Sequence, residues 1–396
     1  MDELGPQERA VLGAIKANPF VSQQEMADAL GLARSTIAAH IVQLTRKGYL
    51  LGRGYVVAEP GRAVCIGGAV LDRKFRAHAP LVPATSNPVD GFRSLGGVAR
   101  NVAENIAKLG TETSFISIVG NDETGREITD AMRQRGIDVS QMIVTDAAPT
   151  AEYLALLGPD NELSVAAADM RIFDLFTPDL LDRIWPHLAA ATWVFADCNL
   201  PAATLAALID RKRSARFRLA IDAVSTPKVT RLPRDLTGVD LLFLNLDEAQ
   251  SFLALGPIDP DLCTTAVPAA LNMRFSPEAA ARLLRTAGAR DVIITLGAQG
   301  AVYASETGQG TIASVAAAPL DITGAGDAMI AATIHRIMTG DTLPAAAQMG
   351  ALLAALTTET EATVHPALSP TFLESHRHRL PPQQPEPEPT HVDAEA

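Results

Sequence analysis

Aromatic residues and cysteines are scarce in this chain of 396 residues, of which phenylalanine, tryptophan and tyrosine make up 5%. The three cysteines, Cys65, Cys198 and Cys263, are widely separated and do not have the spacing of a metal site. The sequence contains no uncharged apolar run of about 18 residues, the length that indicates a membrane-spanning helix. Its amino terminus is acidic and lacks the basic-then-apolar pattern of a secretion signal. We therefore expect a reduced, cytoplasmic protein that does not enter a membrane.

Two nucleotide-binding patterns and an excess of positive charge are also missing. There is no Gly-x-x-x-x-Gly-Lys-Ser/Thr, which excludes a Walker-type phosphate loop, and no Gly-x-Gly-x-x-Gly follows the first predicted strand of the core. The net charge of −12 argues against nucleic-acid binding by the whole chain, although one small domain could still bind DNA. With 47% hydrophobic residues the chain can bury a sizeable core, and its length allows more than one domain.

The most informative segment that is present reads Asp321-Ile-Thr-Gly-Ala-Gly-Asp327, after a small-residue, strand-like run at 312–318. Gly324 and Gly326 permit a tight turn with outward-pointing N–H groups, and the helix predicted to follow adds the positive end of its dipole. Asp327 places a carboxylate at the same helix terminus. A base beside an anion site is what phosphoryl transfer to a hydroxyl requires. The plain alternative is an Asp that only caps the helix.

Three further segments contain glycine-rich or polar motifs. In Gly96-Gly-Val-Ala-Arg-Asn-Val-Ala103, paired glycines let a sugar ring approach the backbone, and Asn101 both donates and accepts hydrogen bonds. The alternative for this segment is a simple loop-to-helix junction. The other two are the Asn-x-x-Glu motif at 245–248 and the Thr-x-Gly-x-x-Gly turn at 295–300, which follows a buried-strand run.

In order and spacing these four segments resemble the signatures of the ribokinase-like, or PfkB, carbohydrate kinases, over residues 62–375. The resemblance implies that Asp327 deprotonates the substrate hydroxyl while the amides of the Gly324–Gly326 turn hold the transferring phosphoryl group. It implies ATP and Mg²⁺ as cofactors, and a K⁺ site completed by carbonyls near Ala362 and His365. The site residues that it implies are Asp327, Gly324, Ala325 and Gly326 for catalysis; Asp72, Gly96, Gly97, Asn101 and Asp169 for the substrate; Asn245, Thr295, Gly297 and Gly300 for ATP; Glu248 for Mg²⁺ through water; and Asp321 and Thr323 for K⁺.

The expected fold is α/β, a ribokinase-like three-layer sandwich. Buried-strand runs alternate with helical segments, which predicts a mainly parallel central sheet with helices on both faces and ligands at the carboxyl ends of the strands. Polar, strand-like pieces at 73–95 and 150–168 fit the family's β-lid, a small sheet that covers the sugar and often pairs with a second subunit. A homodimer through the lid is therefore expected. Residues 376–396 are rich in Pro and Glu and are expected to be disordered. The predicted strands lie at 114–119, 193–196, 218–221, 241–244 and 292–295.

Residues 1–60 have a different character and resemble a small winged helix-turn-helix domain. The second of three predicted helices begins at Ser22 in a capping-box arrangement, and an alternating pattern at 48–57 predicts a hairpin. Six basic and six acidic residues give this domain no net charge, which is a weak footprint for DNA. A domain used for packing or dimerisation is therefore the alternative. The residues expected to face duplex DNA from the third helix are Arg34, Ser35, Thr36 and His40.

Secondary segments narrow the expected substrate. Asp72 follows the first strand of the core, where family members place an Asp that binds substrate hydroxyls; the alternative is a solvated acid at the start of a loop. Segments 168–170, 196–201, 222–228 and 360–366 most resemble the pseudouridine kinases of the family, which commonly have an N-terminal helix-turn-helix. The predicted reaction is transfer of the ATP γ-phosphoryl group to the 5′-hydroxyl of a ribosyl substrate, with pseudouridine as the first candidate. The alternatives are another ribonucleoside or ribose, and a sugar- or nucleoside-sensing transcription regulator that keeps the kinase fold as its sensor.

Overall fold

The computed structural model describes residues 4–18, 21–50, 61–256 and 275–381. Three helices at the amino terminus precede a long α/β domain. Cys65 and Cys198 are buried free thiols, whereas Cys263 lies outside the described residues. Within the described part of the chain, no helix is both long and apolar enough to span a bilayer.

The first three helices form a small core of their own. They are α1 (Pro6–Ala17), α2 (Gln23–Leu30) and α3 (Arg34–Arg46). The predicted capping box is present at α2, where Ser22 Oγ accepts from the backbone N of Glu25 at 3.2 Å and Glu25 Oε2 accepts from the backbone N of Ser22 at 2.7 Å. Residues 51–60, with most of the predicted hairpin and the linker after it, lie outside the described residues. The apolar side chains buried between the three helices include Val11, Ile15, Met26, Ile37 and Leu44.

The α/β domain is built on one large sheet. Its strands and those of two smaller sheets are β1 (Ala63–Ile66), β2 (Val70–Ala77), β3 (Val89–Gly96), β4 (Thr113–Ile116), β5 (Ile118–Gly120), β6 (Ile143–Thr145), β7 (Glu152–Leu157), β8 (Leu163–Asp169), β9 (Trp193–Asp197), β10 (Arg218–Asp222), β11 (Leu241–Asn245), β12 (Asp291–Thr295), β13 (Ala301–Ser305) and β14 (Gly308–Ile312). Among the described residues the central sheet has eight strands in the order β14-β13-β12-β11-β10-β9-β1-β4. The pairs from β4 to β12 are parallel, and β13 and β14 are added antiparallel. The predicted, mainly parallel sheet is thereby confirmed.

Helices cover both faces of this sheet because its strands are apolar on both sides, as in β1, where all four residues are buried. Val64 and Ile66 pack into one core with the helices between residues 178 and 286, and Ala63 and Cys65 pack into the other with the helices at 98–108 and 325–358. The three-layer sandwich follows from this alternation. The helices of the domain are α4 (Val98–Lys108), α5 (Glu123–Gln134), α6 (Pro178–Ala189), α7 (Ala202–Lys212), α8 (Leu246–Ala254), α9 (Pro277–Thr286), α10 (Ala325–Met338), α11 (Leu343–Thr358) and α12 (Pro370–Ser375).

A second sheet, in the order β3-β2-β7-β8, is made from the two polar segments predicted as a lid. Strand β2 begins four residues after β1 and pairs antiparallel with β3 and parallel with β7. The polypeptide therefore passes directly from the central sheet into the lid, and returns to α4 at Gly96. This connection brings the lid strands next to the carboxyl end of β1.

Two boundaries differ from the sequence prediction. The run at 312–318 is not a strand, since β14 ends at Ile312 and the backbone of Ala313 pairs with the side-chain amide of Gln348 instead. The predicted disordered tail begins too early at 376, because Arg379 forms an ion pair with Glu359 and anchors the last turn of the domain. Residues 382–396 lie outside the described residues.

Candidate active site

The polar residues of the site lie where neighbouring parallel strands end. Asp197, Asp222, Asn245 and Thr295 are the last residues of β9, β10, β11 and β12. Because these four strands are adjacent and parallel, their carboxyl ends form one edge of the sheet. The lid and the amino termini of α4 and α10 meet the same edge.

The Asp321–Asp327 segment forms a turn that leads into α10. Gly324 is the residue before the helix and has a left-handed conformation, with φ of 86°. A Cβ at this position would overlap the carbonyl oxygen of Thr363, so both the backbone conformation and the close approach require glycine. Within the turn the amide N of Ala325 donates a long bond, 3.3 Å, to the carbonyl oxygen of Ile322. The first turn of α10, with its positive dipole end, therefore opens on the predicted anion site.

Asp327 lies in this first helical turn and connects the two glycine-rich segments. Its Oδ2 accepts a 2.7 Å hydrogen bond from the side-chain amide of Asn101 in α4. Burial raises the pKa of Asp327 to about 6, although the bond from Asn101 lowers it. A carboxylate with a pKa just below neutrality is ionised at pH 7 and can still accept a proton effectively.

Asn101 is held in one orientation by a buried network on α4. Its Oδ1 accepts from Arg100, whose guanidinium also pairs with Glu104, and Glu104 pairs at 2.6 Å with Arg135, the residue that follows α5. Because the Asn101 oxygen faces Arg100, its NH₂ group faces Asp327. The sequence prediction treated Arg100 as an unassigned position of the motif and did not consider Glu104, which follows the motif; their spacing of four on a helix was the signal available.

The lid places a second carboxylate near Asp327. Asp72 of β2 lies against Gly96, where any side chain would overlap its carboxylate. Burial raises the pKa of Asp72 to about 6, and its charge contributes to the raised pKa of Asp327. Asp169, the other lid residue expected to contact substrate, forms an ion pair of 2.7 Å with Arg171, and 42% of its side chain is exposed.

A cavity of about 180 Å³ opens beside Asp327, and its lining includes no residue of the lid strands. The polar residues that line it are Asp222, Asn245, Glu248, Thr295 and Asp327, together with Gly326. Burial raises the pKa values of both Asp222 and Glu248. No lysine or arginine is among the described residues that line the cavity, so a cation bound with phosphate would favour the ionised forms of these carboxyl groups.

Within this cavity the Asn-x-x-Glu motif has a structural role as well. Asn245 is the N-cap of α8: its Oδ1 accepts from the backbone N of Glu248 at 2.9 Å, and Glu248 Oε2 accepts from the backbone N of Asn245 at 2.8 Å. The motif thus fixes its own side chains at the helix terminus. Gly297 and Gly300 form the turn after β12 and do not line this cavity.

Asp222 and Asp197 are the residues of this edge that the sequence prediction did not assign. Asp222 lines the cavity directly. Asp197 is fully buried and accepts from the backbone N of Gly68 and of Ala99, both at 2.9 Å, so it fixes the loop after β1 against the start of α4. Aspartate at the end of an apolar strand was the available signal for both, since ligands of such sheets bind at strand ends.

The remaining predicted residues lie elsewhere. Asp321 accepts from the backbone N of Thr323 at 2.8 Å, and its other oxygen accepts from Lys74 of the lid. On α3, Arg34 and Ser35 are exposed, and His40 Nε2 lies 3.2 Å from Gln7 Oε1. A wider recess of about 270 Å³, lined by residues that include Trp193 and Arg218, opens at the opposite end of β9 and β10 and contains none of the predicted residues.

Comparison with known families and proteins agrees with this geometry. Residues 61–370 match the model of the pfkB family carbohydrate kinases, and residues 5–50 match that of winged helix-turn-helix DNA-binding domains. The chain is 28% identical to the uncharacterized sugar kinase YeiI of Escherichia coli K12, over 91% of this chain and 96% of that protein. It is 29% identical to the pseudouridine kinase of the same bacterium over 69% of this chain and 82% of that protein.

Two further comparisons concern a nucleoside kinase and a solved structure. A guanosine-inosine kinase of Exiguobacterium acetylicum is 26% identical over 78% of this chain and 97% of its own length. The structure of a carbohydrate kinase from Agrobacterium tumefaciens superposes with a TM-score of 0.69 and 29% identity, covering 81% of this chain and 98% of that one.

Proposed function

The chain belongs to the pfkB family of carbohydrate kinases and has an N-terminal winged helix-turn-helix domain. We propose that it transfers the γ-phosphoryl group of ATP to the 5′-hydroxyl of a ribosyl substrate, and that this substrate is pseudouridine. The observation that carries the proposal is the partly buried Asp327, bonded to Asn101 on one side and adjoining the Gly324–Gly326 turn on the other.

The transfer step requires a base, an anion site and an aligned hydroxyl. Asp327 accepts the proton of the 5′-hydroxyl while the O5′–P bond forms. The bond from the γ-phosphorus to the oxygen that bridges it to the β-phosphate breaks, and ADP leaves with that electron pair. Amides of Gly324, Ala325 and Gly326 stabilise the charge on the equatorial oxygens, where a single such donor is typically worth about 10²–10³ in rate.

Asn101, Gly96 and Gly97 would hold the sugar, with Asp72 of the lid accepting from its hydroxyls. Gly97 has φ of 100°, and a side chain there would overlap the carbonyl oxygen of Gly68, so this position requires glycine and lets the loop after β1 pack closely against the start of α4. The lid would exclude water from the transferring group. Asp169 stays a weaker candidate, because substrate would have to compete with Arg171 for its carboxylate.

ATP would lie along the carboxyl ends of β11 and β12, with Thr295, Gly297 and Gly300 at its border. Mg²⁺, when bound with ATP, would neutralise part of the phosphate charge. Glu248, fixed by its cap with Asn245, and Asp222 across the same cavity are the residues that would hold it, largely through water.

The choice of pseudouridine is supported by similarity to the Escherichia coli pseudouridine kinase and by segments such as 196–201 and 222–228. A guanosine-inosine kinase among the relatives keeps other ribonucleosides as competitors. The test is ATP consumption by the purified protein with Mg²⁺ across pseudouridine, uridine, inosine, guanosine, adenosine and ribose. Selective turnover of pseudouridine supports the full proposal. Turnover of another sugar keeps the kinase and overturns the substrate, and binding without turnover favours a ligand-sensing regulator.

We also propose that the N-terminal domain, residues 1–60, binds duplex DNA. The support is the match to the winged helix-turn-helix family and the exposed Arg34 and Ser35 at the start of α3. Thr36 and His40 follow on the same helix, although His40 is partly engaged with Gln7. Salt-dependent binding of the full chain to duplex DNA that is lost in Arg34→Ala would support the proposal. Arg9→Ala is the control variant. If Arg34→Ala binds duplex DNA as tightly as Arg9→Ala does, a recognition role for α3 is contradicted.

We further propose that two copies of the chain form a homodimer through their lid sheets. The support is the group of exposed apolar side chains on the lid sheet, Phe92, Leu154, Leu163 and Val165. Sedimentation of the full chain and of Phe92→Lys would test it. A dimer that persists unchanged in that variant and in Leu163→Lys would place the interface elsewhere.

A further inference from the structure

Lys74 of the lid reaches the turn that leads into α10. Its Nζ donates to Oδ2 of Asp321 at 2.8 Å and lies 3.5 Å from Oγ1 of Thr323. The pair is partly shielded, with 34% of the Lys74 side chain and 25% of the Asp321 side chain exposed. Lys74 is two residues beyond Asp72 on β2, so both side chains project from the same face of the strand.

Asp321 is bonded through both carboxylate oxygens. Oδ1 accepts from the backbone N of Thr323 at 2.8 Å and from Thr323 Oγ1 at 2.6 Å, while Oδ2 accepts from Lys74. These bonds fix Thr323, the residue directly before Gly324. The position of the phosphoryl-holding amides therefore depends on a charge contact made by the lid.

The second segment beside the turn is also contacted by a lysine. Lys108, at the end of α4, donates to the carbonyl oxygens of His365 and Pro366, both at 3.1 Å. This loop touches the turn itself, because the carbonyl of Thr363 packs against Gly324. The two backbone segments that meet behind the anion site are thus each held by an ammonium group.

These contacts bear directly on the K⁺ site that the family resemblance implies. The groups expected to hold the ion are Asp321 and Thr323, with carbonyls near Ala362 and His365. In this chain the Asp321 carboxylate accepts from Lys74 and the His365 carbonyl accepts from Lys108. A potassium ion and an ammonium group have the same charge and similar size, so one can take the place of the other. The donor set therefore does not fit a K⁺ ion in addition to the lysines.

We propose that Lys74 is a positioning residue that supplies, from the lid, the positive charge behind the phosphoryl-holding turn, with the consequence that the reaction does not require K⁺. This inference rests on the proposed kinase function. Lys74 acts through Asp321 and the Gly324–Gly326 amides, and takes no part in proton transfer. It also makes the turn sensitive to lid position, since the ammonium moves with β2.

The experiment compares the wild type, Lys74→Met, Lys74→Arg and Arg73→Met, each assayed with the magnesium salt of ATP in potassium, sodium or N-methylglucamine chloride. Arg73→Met is the matched control, because Arg73 is on the same strand but pairs with Glu152 on the opposite face. The melting temperature of each protein without nucleotide is measured in the same three salts.

The wild type, Lys74→Arg and Arg73→Met should turn over equally in all three salts. Lys74→Met should lose about fivefold in kcat without alkali ions, the size expected of a partly exposed charge contact, and regain it in K⁺. Its melting temperature alone should rise in K⁺. Activation of the wild type by K⁺, or full cation-independent turnover of Lys74→Met, would overturn the inference.

A failure of the kinase proposal can be told apart from a failure of the Lys74 inference. If no protein, including the wild type, turns over any ribosyl substrate in any salt, the kinase proposal fails, and the melting temperatures alone then test the Lys74 inference. A K⁺-dependent rise that is equal in the wild type and Lys74→Met would show that the ion binds independently of Lys74 and would overturn it.

Discussion

The side-chain amide of Asn101 donates a 2.7 Å hydrogen bond to Oδ2 of Asp327, across a sequence separation of 226 residues. This bond joins the start of α4, which would hold the sugar, to the start of α10, which would hold the phosphoryl group. It also stabilises the ionised form of Asp327 and so lowers a pKa that burial raises. The bond thereby fixes Asp327, the proposed base, relative to Asn101, which would hold the acceptor sugar.

Replacing Asn101 should therefore alter both binding and the ionisation of Asp327. Asn101→Ala should raise KM for the ribosyl substrate and shift the acidic limb of the kcat/KM profile to higher pH, because the lost hydrogen bond favoured the carboxylate. Initial rates across pH measure both effects. Asn121→Ala is the matched control, since Asn121 makes a similar amide–carboxylate bond to Asp146 on the surface. A raised KM with an unshifted acidic limb would separate Asn101 from Asp327.

The pH dependence of the wild type has a defined sign. Asp327 and Asp72 both have pKa values raised by burial to about 6. The proposed mechanism requires each of them in its ionised form. Activity should therefore be present above pH 6 and be lost as the pH falls through that value, by at least about tenfold per pH unit. Steady-state kcat/KM between pH 5 and pH 8 measures it. A flat profile down to pH 5 would contradict the raised pKa values.

Gly324 should be needed for catalysis as well as for folding. Gly324→Ala adds a side chain where the backbone is left-handed and where the carbonyl of Thr363 leaves no room, so the turn must move and turnover should fall by at least about 10². Gly340, after the other end of α10, also has a positive φ, 106°, but faces open space. Gly340→Ala should lose about 1 kcal/mol of unfolding free energy and keep its turnover. Equal turnover in the two variants would remove the turn from the mechanism.

Glu248 can be tested without breaking its helix cap. Glutamine also serves at the third position of a capping box, so Glu248→Gln should keep the melting temperature of the wild type. Loss of the negative charge should raise the Mg²⁺ concentration needed for half-maximal rate by about 10- to 100-fold. Mg²⁺ titrations at saturating ATP measure this shift. An unchanged requirement in both Glu248→Gln and Asp222→Asn would place the ion elsewhere.

The sequence predicted the parts of the fold that depend on local pattern. The apolar runs of β9 to β12 and the capping box at Ser22 are confirmed, and each is determined by a few neighbouring residues. The parallel central sheet is confirmed as well, and it was predicted from the alternation of strands and helices along the chain. The prediction of a strand at 312–318 was wrong, because small residues have no strong preference for a strand and the side-chain amide of Gln348 pairs with the backbone of Ala313.

The sequence could not predict the contacts that depend on tertiary proximity. Arg100 was an unassigned position of a motif, yet its guanidinium orients the Asn101 side chain. Lys74 is one of four lysine and arginine residues in the segments predicted as the lid, and its sequence position does not show that the fold brings it to Asp321. Such side-chain pairs are far apart in sequence and have no periodic signal, so they require the folded coordinates.

The most direct test of the account is the turnover of ATP with pseudouridine by the wild type and Asp327→Asn, measured together with the binding of each ligand. The substitution keeps the shape of the side chain and removes a partly buried charge, so the variant should melt no lower than the wild type. Turnover should fall by at least about 10² while both ligands still bind, because only the proton acceptor is lost. Wild-type turnover by Asp327→Asn would contradict the central claim that this carboxylate is the base.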